Sequence, residues 1–222
     1  TAGVVARNNL TPSVSSGRGF GATSHESSGY LGGNNPVGSH VRRIDFDNDT
    51  SLVLSRGSLS SSRFGTHGAS ASAHGMSARM RGVASNTVNI RDIEAGPAYG
   101  YWVGGSSPVV STIDRLDYSS DTTTAAAKGP LSVARKRHGA TGNTSYGFIA
   151  GGDTGSPAYV SLLDRIDYSN DTATTAAKGP LPIVADYVTG TGTNSYGYWI
   201  GAGVPSTLSN IMRTDYSSDT AV

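Results

Sequence analysis

The sequence predicts an all-β fold, namely a β-propeller of four or five four-stranded blades. The first observation behind this prediction is an internal repeat of about 50 residues in a chain of 222 residues. The second is that each copy holds four short apolar or small-residue clusters bounded by Gly, Pro, Asn, Asp and Ser, a pattern typical of strands joined by turns. Four antiparallel strands in a repeat of this length indicate one propeller blade per copy.

Three sequence blocks define the repeat. An aromatic–glycine block occurs in full or shortened form at 29–33, 99–105, 146–152 and 196–202. A block of the type Asp-Arg-aliphatic-Asp-Tyr, also with shorter copies, occurs at 43–50, 113–122, 163–172 and 213–220. The sequence Ala-Lys-Gly-Pro-Leu occurs at 127–131 and 177–181.

The separation of equivalent aspartates sets the length of the repeat. Asp117 and Asp167 are 50 residues apart, and Asp167 and Asp215 are 48 apart. Asp45 and Asp117 are 72 apart, which is 22 more than 50, so residues 79–98 hold either a degraded extra unit or a long insertion. The chain 1–222 is therefore predicted to be a single domain, with units at approximately 18–58, 59–98, 99–145, 146–195 and 196–222 together with 1–12.

The elements of one unit follow in order from its residues. The predicted order is strand 138–141, turn 142–145, strand 146–152, strand 159–168, turn 169–171 and strand 172–177. Paired glycines after the second strand let neighbouring blades approach where larger side chains would collide. The large aromatic residues of the repeated second strand are expected to be buried between blades. They are Tyr101, Trp102, Phe148, Tyr198 and Trp199.

The two ends of the chain predict how the ring closes. The chain ends at Asp219-Thr220-Ala221-Val222, where a fourth strand should begin, and it starts with Thr-Ala-Gly-Val-Val-Ala at 1–6. The N-terminal segment is therefore expected to complete the last blade, because a propeller with an unpaired edge strand is prone to aggregate. The alternative is a longer repeat array that is cut at this point.

Several repeated motifs together resemble the Kelch repeat. They are 102–105, 114–118, Pro130-Leu131, Arg135 and His138-Gly139-Ala140. The fourth strand at 123–126 departs from the family pattern, because it lacks the usual Trp. The combination of Tyr-Gly-Tyr before the glycines with Asp-Tyr-Ser-Asn-Asp-Thr after them is similar to Kelch-like repeats in structural proteins of marine tailed phages. The resemblance covers 18–75 and 99–222.

This resemblance implies a non-catalytic structural or host-attachment component of a virion, placed on a tail, fibre or capsid surface of the extracellular particle. Its partners would be other virion proteins or a host surface receptor, for example a glycan, and a homo-oligomer is a further expectation. The alternative is a lectin-like or protein-binding propeller of cellular origin, which would be secreted.

Composition excludes several other classes of function. Lys and Arg total 17 against 16 for Asp and Glu, so the nearly neutral chain gives no reason to expect a nucleic-acid partner. There is no Cys for a thiolate metal site or a Cys nucleophile. No apolar run is long enough to span a membrane. No Gly-x-Ser-x-Gly motif or distinct Ser, His and Asp set is present, so we expect no enzyme, cofactor or metal.

The repeated acidic block has two interpretations. Asp47-Asn48-Asp49-Thr50 resembles the start of a calcium loop, but the Gly and distal Glu of an EF-hand are missing. Tight turns in which Asp accepts backbone hydrogen bonds are the favoured interpretation, with Asp114 and Arg115 at a strand surface. His67 and His138 both precede Gly-Ala, which indicates a structural position, and 135–137 is expected to be a solvated basic loop.

One end of the predicted blades carries the candidate binding residues. The loops between second and third strands differ in length and residue type, whereas the Asp-Tyr-Ser-Asn-Asp turns at the opposite end barely differ. These loops are 34–39, 106–111, 153–159 and 204–210. Variable loops on a rigid scaffold favour specific binding, although unconstrained loops would give the same pattern. The candidate residues are Asp153, Tyr159 and Asn35.

Overall fold

The structure, a computed structural model, describes residues 19–25, 28–33, 38–48, 53–70, 99–155, 158–201 and 210–221. These residues form four antiparallel sheets of four strands each, with two one-turn 3-10 helices as the only helical elements in them. The predictions of an all-β fold and of four-stranded antiparallel sheets are confirmed. No helix in the described part of the chain is long and apolar enough to cross a membrane.

Each sheet uses four strands that are consecutive in the chain. The first contains β1 (Gly21–His25), β2 (Ser28–Gly32), β3 (Gly38–Asp45) and β4 (Leu54–Arg63). The second contains β5 (His67–Ser70), β6 (Tyr99–Val103), β7 (Ile113–Asp117) and β8 (Ala126–Ala127). The third contains β9 (Gly139–Gly142), β10 (Tyr146–Ala150), β11 (Leu163–Asp167) and β12 (Ala176–Ala177). The fourth contains β13 (Thr189–Gly192), β14 (Tyr196–Ile200), β15 (Ile211–Asp215) and β16 (Thr220–Ala221).

The second and third strands are the two inner strands of each sheet, and the second strand buries residues on both of its faces. In β10, Phe148 and Ile149 point to opposite faces, and both are fully buried. The third and fourth strands are shorter than the sequence predicted. β11 covers only five residues and β12 only two, because residues 172–175 leave the ladder after the turn.

The sheets pack side by side in chain order. The first strands contact one another in chain order, β1 with β5, β5 with β9 and β9 with β13, so they form one continuous edge of the array. Trp102 lies between the first and second sheets, where its Nε1 donates a hydrogen bond to Gly21 O at 3.0 Å. Tyr101, Trp102, Phe148 and Trp199 are fully buried, as predicted from the repeat. Tyr198 differs, since it is only partly buried.

The observed sheets are offset by one strand from the repeat units defined on the sequence. Each of the last three sheets takes its first strand from the end of the preceding unit, as β9 does from the unit 99–145. β5 pairs directly with β6, so residues 71–98 connect two neighbouring strands of one sheet. The fourth sheet takes its fourth strand, β16, from Thr220–Ala221, so the expectation that the last blade lacks this strand is wrong. The segments 1–18 and 71–98, which include the predicted closing strand and the degraded or inserted unit, lie outside the described residues.

The outward face of the fourth sheet is uncovered among the described residues. Ile200 and Ile211 are 42% and 68% exposed, whereas the equivalent Val103 and Ile113 of the second sheet are buried against the third sheet. No closure of the fourth sheet onto the first is seen in the described strands. The ring and the number of blades therefore stay predictions.

Candidate recognition site

The strand order gives the array two distinct ends. Connections between second and third strands, and between a fourth strand and the next sheet, emerge at one end, which we call the loop face. Turns between third and fourth strands emerge at the other end, which we call the turn face. The repeated acidic residues occupy three different environments between these two faces.

The first acidic set caps the turns of the turn face. Asp117 accepts hydrogen bonds from Ser119 N and Oγ at 2.9 and 2.6 Å. Asp167 and Asp215 make the same contacts with Ser169 and Ser217. The serine hydroxyl is the main cause that lowers the pKa of Asp167 and of Asp215. The tight-turn interpretation is correct for these three residues.

The second acidic set joins neighbouring sheets. Asp171 of the third sheet accepts hydrogen bonds from Tyr101 Oη at 2.9 Å and Arg115 Nη1 at 2.8 Å, both in the second sheet. Lys128 Nζ lies 3.3 Å from the same carboxylate. Asp121 and Asp219 occupy the equivalent positions and also pair with basic residues of the preceding sheet. Each of these aspartates is a link between two sheets.

The third acidic set is buried, which corrects the prediction of a strand surface for Asp114. Asp114 is fully buried and accepts hydrogen bonds from Ser60 N and Oγ, while Arg63 Nη2 lies 2.8 Å from its Oδ2. Asp164 has the same partners in Ser132 and Arg135, with Arg135 Nη1 at 3.0 Å. Sequence reasoning missed this pair because Arg63 and Asp114 are 51 residues apart.

Arg135 therefore does not belong to a solvated loop, and that prediction is wrong for this residue. Its side chain has no exposure to solvent, and its Nη2 donates a further hydrogen bond to Ile149 O at 3.2 Å. Lys136 and Arg137 do reach the surface, with side chains 22% and 36% exposed. The short basic run thus contains one interior residue and two at the loop face.

The two histidines form a ring pair between the second and third sheets. The ring centroids of His67 and His138 are 5.1 Å apart, and His138 is fully buried. Burial lowers the pKa of His67 to about 4 and also lowers that of His138 well below its usual value, with further lowering by His67 and Arg135. The two histidines do not occupy equivalent positions in their sheets. His67 pairs with Val103 of β6, whereas the equivalent residue of β10, Ala150, pairs with Gly139 and not with His138.

One backbone position separates the four sheets into two kinds. The residue two places before each first strand has a positive φ in every sheet, and it is Gly19, Gly65, Arg137 and Tyr187 in turn. Glycine adopts this conformation without steric cost, whereas an L-residue with a Cβ is disfavoured there by roughly 1–2 kcal/mol. Arg137 and Tyr187, with φ of 58° and 54°, therefore occupy strained positions.

Arg137 and Tyr187 lie against each other on the loop face. The guanidinium carbon of Arg137 is 4.5 Å from the centre of the Tyr187 ring, and Tyr187 is 62% exposed. Arg137 Nη1 also lies 3.4 Å from a carboxylate oxygen of Asp153 and 3.4 Å from one of Asp186. Lys136 Nζ is 3.3 Å from Asp153. We call these five residues the Arg137–Tyr187 site.

The two acids of the site are held below the surface. Asp186 is almost fully buried, and this burial raises its pKa, although the backbone of Tyr187 and the side chain of Arg137 act in the opposite direction. Asp153 is also buried, and its Oδ1 accepts a hydrogen bond from Gly155 N at 2.7 Å. The acids therefore fix the positions of Arg137 and Lys136, which carry the exposed donors.

The binding residues proposed from the sequence are only partly recovered in this cluster. Asp153 belongs to it, as a buried positioning group, and Tyr159 pairs with Asp153 through a β-bridge and is partly exposed. Asn35 lies outside the described residues. Sequence analysis missed Arg137 and Tyr187 as site residues. They would have been found by aligning the repeats on their first strands, because this alignment matches Arg137 and Tyr187 with Gly19 and Gly65.

The part of the chain that the structure describes contains no group of three or more His, Asp or Glu side chains suited to a metal ion. A pocket lined by Arg165, Asp167 and Asn170 near the turn face has a volume of about 170 Å³, below the roughly 300–1,000 Å³ of typical small-molecule sites. No known protein family matches the chain, and no curated protein does.

Proposed function

We propose that this chain is a non-catalytic recognition scaffold, a structural or host-attachment component of a virion, with the Arg137–Tyr187 site as its contact surface. The observation that carries the proposal is the replacement of glycine by Arg and Tyr at the strained position of the third and fourth sheets. Strain that the same chain avoids in two other copies needs a compensating role, and strained residues often cluster at functional sites.

Exposure supports a role in binding. Tyr187 places a large ring in solvent at 62% exposure, where it contributes little to the interior. Rigid aromatic side chains beside charged groups are frequent anchors of binding surfaces. The resemblance to Kelch-like phage proteins supports the virion as location and a host receptor or another virion protein as partner. A secreted lectin-like or protein-binding propeller of cellular origin is the alternative, favoured by the exposed Tyr187 beside Asp186.

We also propose that the sheets are blades of a Kelch-like propeller of four or five blades, closed by residues 1–12 beside the last sheet. The uncovered Ile200 and Ile211 support this, since every preceding sheet buries those positions against a neighbour. Deleting 1–12 should expose a strand edge and apolar surface and cause self-association, measured by analytical ultracentrifugation. A deletion variant with the same association state as the full chain would contradict closure by this segment.

Two measurements test the proposed function. Mass spectrometry of purified virus particles should detect the chain as a particle component. Attachment of the labelled protein to host cells should fall strongly in Tyr187→Gly, which restores the glycine found in the first two sheets, and should persist in Phe46→Ala. Phe46 is a matched control, because it is 50% exposed but lies on the turn face. Equal attachment of both variants would contradict a contact surface at Tyr187.

A further inference from the structure

We propose that the Arg137–Tyr187 site binds a neutral saccharide, an inference that rests on the proposed recognition function and names its ligand class. A saccharide ring has an apolar face of C–H groups and an edge of hydroxyl groups. The site offers a partner for each, since it combines an exposed aromatic ring with side-chain donors at fixed positions.

The Tyr187 ring is the surface for the apolar face of the sugar. Arg137 contacts the ring at 4.5 Å, yet 62% of Tyr187 remains in solvent. Aromatic rings that are apolar in the centre and polar at one tip suit ligands of mixed polarity. Tyr187 lies two residues before β13, which is paired with β14 in the fourth sheet, so little backbone order has to be created on binding.

The donors for hydroxyl groups are Arg137 and Lys136. Asp153 and Asp186 hold Arg137 between them at 3.4 Å each, and Asp153 also holds Lys136. Both guanidinium and ammonium groups carry more N–H donors than these acids use, so donors remain for ligand oxygens. A hydroxyl group can accept from them without bringing a charge into the site.

The charge balance of the site indicates why the ligand is neutral. The cations of Lys136 and Arg137 pair with the carboxylates of Asp153 and Asp186, so the formal charges of the site cancel. An anionic ligand, such as a phosphate or a sialic acid, gains most from cations without acidic partners, as in nucleic-acid and phosphate sites. The site also spans one ring and two donor side chains, a far smaller surface than the roughly 800 Å² per partner of a stable protein interface. One sugar ring matches that size.

A glycan array with neutral, sialylated and sulfated saccharides tests the proposal. The wild type should bind neutral saccharides. The signal should change little between about 50 and about 500 mM salt, a range over which the Debye length falls from about 14 to about 4 Å. Tyr187→Gly should weaken binding by about tenfold or more, while Tyr187→Phe and the control Phe46→Ala should retain it. Circular dichroism should find the same fold in all variants.

Several outcomes would overturn the saccharide proposal. Binding only to charged glycans, binding unaffected by Tyr187→Gly, or no binding to any saccharide on the array would each do so. If host-cell attachment still depends on Tyr187 in those cases and is lost after protease treatment of the cells, the recognition function stands with a protein ligand. If attachment does not depend on Tyr187, the proposed function fails as well.

Discussion

The connection between the second and third sheets and the one between the third and fourth sheets occupy equivalent positions with different chemistry. In the former, Ser132 and Arg135 hold the buried Asp164 of the next sheet. In the latter, Pro182 and Ala185 stand in their places, and the next sheet supplies buried Met212 instead of the acid. The Ser, the Arg and the Asp are thus all replaced by apolar residues in the second connection. This indicates that the interior position accepts either a fully hydrogen-bonded group of polar residues or only apolar ones.

The outward residues of the same two connections differ in another way. Arg137 and Tyr187 both keep the left-handed backbone that glycine adopts in the first two sheets, although neither residue favours it. The buried residues of each connection are therefore matched to one another and stabilise the fold. The surface of each connection carries residues that local stability would not select.

Removing one member of the polar set should have the largest effect. Asp164→Ala leaves Arg135 buried and unpaired, so we expect a loss of about 3–5 kcal/mol in the free energy of unfolding. The triple variant S132P/R135A/D164M copies the fourth sheet and should lose less than about 2 kcal/mol. Urea denaturation of both variants measures the difference. A triple variant as unstable as Asp164→Ala would show that the two connections are not interchangeable.

The histidine pair should give a second, pH-dependent difference between the connections. The pKa of His67 is about 4 in the fold, and that of His138 is also lowered, while both are near 6.5 in the unfolded chain. A base with a lowered folded-state pKa is neutral in the fold, so stability is present above pH 6.5 and is lost as the pH falls toward 4. We expect a loss of roughly 3 kcal/mol from His67 across this window, and a further loss from His138.

The residue equivalent to His138 in the fourth sheet is Val188, which provides the matched variant. His138→Val should reduce the fall in stability between pH 7 and 4.5, measured by urea denaturation at each pH. An unchanged pH profile would mean that other groups, and not this pair, control stability in acid.

The strands and the repeat could be predicted from the sequence, but the environments of single residues could not. The block at 99–105 identifies its strand through local pattern alone, and β6 covers most of it. The burial of Asp114 depends on Arg63 in a different sheet, which no local pattern contains. The positive φ of Arg137 cannot be predicted from the sequence, because only a glycine at that position would indicate it. The shared Gly-Ala after His67 and His138 suggests equivalent positions, but the strand pairing places them one residue apart.

A smaller difference is expected at the links between sheets. Tyr101 donates a hydrogen bond to Asp171, whereas the equivalent residue in the third sheet is Phe148, which lacks the hydroxyl. Tyr101→Phe should cost about 1 kcal/mol, because Asp171 keeps Arg115 and Lys128 as partners. Thermal or urea unfolding measures this cost. A loss above about 3 kcal/mol would mean that the hydroxyl is essential to this link.

The unfolding free energies of Tyr187→Gly and Tyr187→Ala test most directly whether Tyr187 is strained and retained for recognition. Relief of about 1–2 kcal/mol of strain offsets the loss of the contact with Arg137 and the greater flexibility of glycine in the unfolded chain. We therefore predict that Tyr187→Gly lies within about 0.5 kcal/mol of the wild type and is about 1 kcal/mol more stable than Tyr187→Ala. A glycine variant that loses more than about 2 kcal/mol, or an alanine variant of equal stability, would contradict the account.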